Sequence, residues 1–226
     1  MMIKHLSTRR MFIVAVLPLL LGLTAQVDLD EPFGRPTIVS TEVSLSATWQ
    51  DLQLQMQSEK RIIAQCRADP QFCTSPAALQ FLAIVNAGDQ YDGLARIGHI
   101  NLAVNLAIRS VRASAVQTAW TSPLDALAAG FGDCKQFALL KYAALADAGF
   151  VQNDLRLVVV RIKALKNEPH AMIAVRNQAR WSILDSRSSA IVESSKLLDY
   201  YEPEFTLDHR GVRQFIPSSS PVVALR

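Results

Sequence analysis

The chain has 226 residues, half of them hydrophobic, which is enough to bury one good core and suits a single domain. Three of its 23 Lys and Arg lie within residues 1–25, which hold no Asp or Glu, so the remainder is formally neutral against the 20 acids. A neutral surface has no general grip on a phosphate backbone, which excludes nucleic-acid binding, and no later segment is apolar enough for an integral membrane protein.

In chain order, Lys4, Arg9 and Arg10 precede an apolar run from Met11 to Leu23 that is too short to span a bilayer comfortably and ends in small residues near Ala25. Residues 1–25 read as a secretory signal peptide and residues 26–226 as one exported domain. Thr8 to Phe12 also resembles a twin-arginine signal, and by either route the expected destination is the periplasm. Residues 26–42, with Pro32, Gly34 and Pro36, read as an extended lead-in.

From Ser44 to Cys66, Trp49, Leu52, Met56 and Ile63 recur at helical spacing. An exported chain with three cysteines raises the question of which is unpaired. Cys66 and Cys73 flank "RADPQF", a short loop that a disulfide would close, leaving Cys134; the plain alternative is three free thiols with Cys134 a small buried hydrophobe. Metal ligation by Cys66 and Cys73 lacks a nearby histidine or third cysteine.

Ser75-Pro76 reads as an N-cap and first-turn proline opening a helix to about Ala87. In the next helix Leu94, Ile97, Val104, Ile108 and Val111 share a face; His99 lies off it, and Asn101 and Asn105 sit four apart. Ser122-Pro123-Leu124-Asp125 caps a short helix ending at Gly130. Beyond Gly149 the composition turns to strands: "LRLVVVRI" (155–162) reads as fully buried, with "HAMIAV" and "RWSILD" after it. Helices first and strands later predict an α+β fold with a small antiparallel sheet.

Between these halves stands "GFGDCKQFALLKYAALADAGF" (130–150). Gly130 to Gly132 permit a tight turn, Asp133 is a good N-cap, and the apolar spacing from Phe137 to Ala148 continues as a helix that Gly149 stops. Cys134 therefore sits on a first helical turn, where unpaired N–H groups and the positive end of the dipole favour negative charge on sulfur and on a developing oxyanion. A nucleophile needs a base. His5 leaves with the signal peptide, His99 is within a helix, His209 is in a turn beside Asp208, and His170 opens a strand. Folding the two short strands about a two-residue Asn177-Gln178 loop places His170 opposite Asp185, a carboxylate able to orient the ring. A slip of one residue would put the two on opposite faces. From the residues alone, a Cys134, His170, Asp185 triad stands against a surface histidine and a strand-end aspartate.

Trp120-Thr121-Ser122-Pro123, Gly132-Asp133-Cys134 and Lys141-Tyr142, followed by "LRLVVVRI", "HAMIAV" and "WSILDS", together resemble the bacterial transglutaminase-like cysteine proteinases, including their LapG-type periplasmic members, from Asn101 to Ser186. The resemblance implies a papain-like α+β core, with Cys134 as nucleophile, His170 as general base and acid, Asp185 as the orienting residue and Trp120 near the cleft. LapG-type members bind calcium through a Gly-Asp-Cys-Glu-Asp sequence; here Lys135 and Gln136 replace the acids, so no calcium is expected, nor any organic cofactor. The implied partners are a secreted or surface protein substrate, adhesin-like and linked to biofilm release, and an inner-membrane regulator. The sequence reading is an exported cysteine endopeptidase. Acyl transfer to an amine, as in a transglutaminase or amidase, and a non-catalytic periplasmic binding domain of the same fold are the rivals.

Overall fold

The computed structural model describes residues 30–111 and 119–217, so the signal-peptide reading lies outside the described residues. Helices come first. Helix α1 (Val43–Ala68) buries Trp49, Leu52, Ile63 and Cys66 along the expected stripe, and Cys66 is joined to Cys73 by a disulfide just past its end. Helix α2 (Pro76–Asn86) opens on Ser75, whose hydroxyl accepts from the Ala78 N–H, as the Ser-Pro pair predicts.

Helix α3 (Gly93–Ala107) is shorter than its apolar spacing suggests. Ile108 turns to extended backbone, and Arg109–Ser110 (β1) instead pairs in parallel with Phe131–Gly132 (β2). Between them in sequence lies helix α4 (Pro123–Ala129), capped by Ser122 and ended by Gly130 in the left-handed conformation at φ 72°. Helix α5 (Cys134–Asp147) follows β2 directly and is sheathed on nearly every side, burying Phe137, Leu139, Leu140, Ala144 and Leu145.

The sheet is larger than the sequence predicts. A short strand in the lead-in, Thr37–Val39 (βN), joins Leu155–Ile162 (β3), Glu168–Asn177 (β4), Arg180–Leu184 (β5), Ile191–Glu193 (β6), Tyr201–Asp208 (β7) and Gly211–Phe215 (β8) in the order βN-β8-β7-β3-β4-β5-β6, with every pairing antiparallel. One face packs Leu155, Leu157, Ile173 and Leu184 into the helical core; the other buries Val158, Val160, Met172 and Trp181 with Phe33 and Phe215. Cover on both sides explains the apolar run Leu157–Val160 of β3.

The β4–β5 hairpin corrects the register read from sequence. Asn177 pairs with Arg180, so the loop is Gln178-Ala179, with φ 50° and 62° at the two positions. A tight hairpin loop of this kind needs positive φ at both residues, and the chain accepts that cost here rather than one residue earlier. The pairing moves by two residues relative to the expected one, with Ala174 opposite Ile183. A two-residue move preserves the alternation of faces, and so keeps His170 and Asp185 on the same side.

Candidate active site

Three local devices fix the start of α5. Arg109 N–H donates to Gly130 O at 3.0 Å and Val111 N–H to Gly132 O at 3.0 Å, pinning the turn before the helix. Gly132 leaves no room for a side chain: a Cβ there would lie 2.5 Å from Gln136 Cβ. Asp133 and Gln136 then form a reciprocal capping box, the Asp133 carboxylate accepting from the Gln136 N–H and Asp133 N–H donating to Gln136 Oε1 at 3.0 Å, while Lys135 N–H also donates to Asp133 Oδ1 at 2.9 Å. Gln136 Nε2 also donates to Ala119 O at 2.7 Å, drawing half-buried Trp120 to this end of the helix. Cys134, free and partly exposed, is the first residue of α5.

His170, near the start of β4, is 6 % exposed. Its Nε2 lies 2.9 Å from Asp185 Oδ1, which leaves Nδ1 as the other ring nitrogen, and the Cys134 side chain is near enough to favour the charged ring. Burial opposes charge on the ring, but hydrogen bonds with Asp185 and Cys134 and their negative charge prevail, and the imidazole is pushed up to about 8. Asp185 follows β5. Burial would raise its carboxyl, yet hydrogen bonds from His170 and Arg187 hold it well below the usual carboxylate range.

Sequence reasoning missed the surroundings of Asp185. Arg187 donates to it from its backbone N–H at 2.9 Å and from Nη2 at 2.9 Å, and Tyr201 donates its hydroxyl to Oδ2 at 3.1 Å while its ring stacks on His170. Arg187 was two residues away in sequence and open to inspection; Tyr201 comes from β7 and left no local signal. Asn101 and Asn105, four apart on α3, donate to Ser189 O and Ser188 O, bracing the loop after Asp185. Lys141 lies two turns along α5 from Cys134, is 1 % exposed, and its Nζ has no hydrogen-bond partner among the described residues. Burial pulls its amine down to about 7, against which Asp185 favours the charged form. Of the other histidines, His99 stacks on Tyr91 and His209 borders a pocket behind α5, between Tyr142 and Asp147.

Residues 61–202 match the model of the family described as bacterial transglutaminase-like cysteine proteinases. The chain belongs to that family. It is a cysteine peptidase with the α+β fold of this group. Among solved structures, this transglutaminase-like proteinase is similar to LapG of Legionella pneumophila at 21% identity and TM-score 0.55, over 69% of this chain and 86% of that one. The calcium-bound form of LapG is similar at 22% identity and TM-score 0.55, covering 71% and 93%, and the EGTA-treated form at 22% and 0.56, covering 72% and 87%. At these identities the likeness carries the fold. No curated protein matches the chain.

The residues beside Cys134 do not fit a calcium ion. Lys135 Nζ stands 2.5 Å from Asp133 Oδ2, and Gln136 spends its amide on the backbone of Asp133 and Ala119. An ammonium at that place repels a divalent cation where a calcium site would supply further carboxylate oxygens. Among the described residues no group of three His, Cys, Asp or Glu is arranged to hold a metal.

Proposed function

We propose that this proteinase is an exported endopeptidase working through Cys134, His170 and Asp185 on a secreted or surface protein of adhesin type. The supporting observation is the placement of one imidazole between a carboxylate and a free thiol, with Nε2 committed to Asp185 at 2.9 Å. Cys134 attacks the scissile carbonyl carbon, forming an S–C bond, and the positive end of α5 faces the negative charge that develops on the carbonyl oxygen. As the C–N bond breaks, His170 gives its proton to the departing nitrogen. Water then attacks the thioester, His170 takes a proton from it, and Cys134 is released. Asp185 keeps the ring aligned and its charge favourable, with Arg187 and Tyr201 holding the carboxylate. Trp120 lines the cleft near Cys134.

The periplasmic location rests on the signal-peptide reading of residues 1–25, and the proposal includes a regulatory partner at the inner membrane. Lys135 supplies the positive charge at Asp133, so activity is independent of calcium; equal rates with and without EGTA are expected, and a loss restored by calcium contradicts this. Transfer of the acyl group to an amine is the same chemistry with a different acceptor. The test is a comparison of envelope and surface proteins in cells carrying the wild type or Cys134→Ala: a shortened protein is expected only with the wild type, and identical profiles contradict the proposal.

A further inference from the structure

The geometry points to a trough beside Asp185 that receives the segment of substrate released by the first chemical step, and that selects a large apolar side chain there. The inference rests on the acyl-transfer reading above. His170 must protonate the departing nitrogen, so the leaving segment passes on the His170 side of the sulfur, over Asp185 and what surrounds it.

Beside Asp185 lies an open trough of about 430 Å³ lined by Ile162, Leu165, Arg187, Leu197, Tyr200 and Tyr201. Two of these touch the triad: Arg187 and Tyr201 both bind Asp185. Ile162 and Tyr201 pack in the same cluster, and the Tyr201 ring lies 6.4 Å from the His170 ring, so the trough adjoins the imidazole. At the opening, Tyr200 is 64% and Leu165 50% exposed. Two large apolar groups left open next to a catalytic centre mark a place where another apolar group is meant to go.

The charge pattern selects the occupant. Arg187 is the cation in the lining, and its guanidinium is already engaged by the Asp185 carboxylate and the Tyr201 hydroxyl, with the ring of Tyr201 beneath it at 5.8 Å. It closes the wall without offering a free charge to an acidic side chain. The fit is therefore to leucine, phenylalanine or a similar side chain in the first or second residue after the scissile bond.

The same space takes the incoming amine when the thioester is attacked by an amine instead of water: the C–N bond forms, the S–C bond breaks, and the proton of the amine goes to His170. This gives a test that needs no natural substrate. The mature protein is acetylated with p-nitrophenyl acetate, and the acetyl-enzyme is partitioned between water and added leucinamide, glycyl-leucinamide, glycinamide or diglycine amide. The expected result is a preference of about 10-fold for one leucine-bearing amine over its glycine counterpart, the scale at which an apolar pocket discriminates. In Leu165→Asp and Tyr200→Ser, both surface changes, that preference disappears while the burst of p-nitrophenol is kept. A wild-type burst without any preference for leucine overturns the trough alone, as does a preference that survives both variants. Absence of a burst overturns the acyl-transfer reading, and the trough with it.

Discussion

His170 is the residue on which the proposed chemistry turns, and its surroundings set the pH at which that chemistry would work. Because the ring is pushed up to about 8, the imidazolium needed to protonate a leaving amine persists through neutrality, and the first step is expected to fall away on the alkaline side near pH 8. Asp185→Asn removes the hydrogen-bonded negative charge while burial remains, so the alkaline limb moves to lower pH and the maximum rate drops about 100-fold; a pH–rate profile checks both. Lys141 pulls in the opposite direction on stability. Its folded-state value, lowered from 10.5 to about 7, means that the unfolded amine stays protonated over a range where the folded one does not. Stability therefore rises with pH between those values, and the penalty is greatest below about 7. Lys141→Met should stabilise the fold by roughly 1 to 4 kcal/mol, most at or below that pH and least toward 10, measured by denaturant unfolding across pH.

At the scale of elements, the part of the site nearest Cys134 was legible in the sequence because every signal for it is local. Glycine before, aspartate at the cap and apolar spacing after place the thiol on a helix start, and the capping box with Gln136 confirms the boundary. What pins this helix start was harder to read. The parallel pairing of Arg109–Ser110 with Phe131–Gly132 joins residues far apart in sequence and cuts α3 short, against its own apolar period. The hairpin was readable as to face but not register, since neither Asn-Gln nor Gln-Ala is a strong turn pair, and a two-residue shift leaves the apolar pattern unchanged. Gly132→Ala tests the importance of this junction: the new Cβ meets Gln136 Cβ at 2.5 Å, which is close to the helix backbone and cannot swing aside. A loss of about 1 to 3 kcal/mol in unfolding free energy is expected, with a lower catalytic rate in the fraction that remains folded.

Across the whole molecule, the sequence predicted helices before strands but undercounted the sheet, because βN, β6, β7 and β8 are recognisable only through their partners. Ties that close the molecule are equally long in range. Glu31, in the lead-in, is fully enclosed against Arg156 of β3 and Arg210, and Arg156 also reaches Asp208 at the end of β7. Arg156→Met would leave these carboxylates buried with less compensation, and a loss of about 3 to 5 kcal/mol by denaturant unfolding is expected. The same breadth holds at the site, where the proposed triad takes its residues from α5, β4 and the loop after β5, and its supports from α3 and β7. The most direct test of that convergence is to acylate the protein with p-nitrophenyl acetate and locate the acetyl group by mass spectrometry. The account expects it on Cys134 within the burst, and expects His170→Ala to slow its formation about 100-fold or more. An acetyl group on another residue, or the same rate without His170, would contradict it.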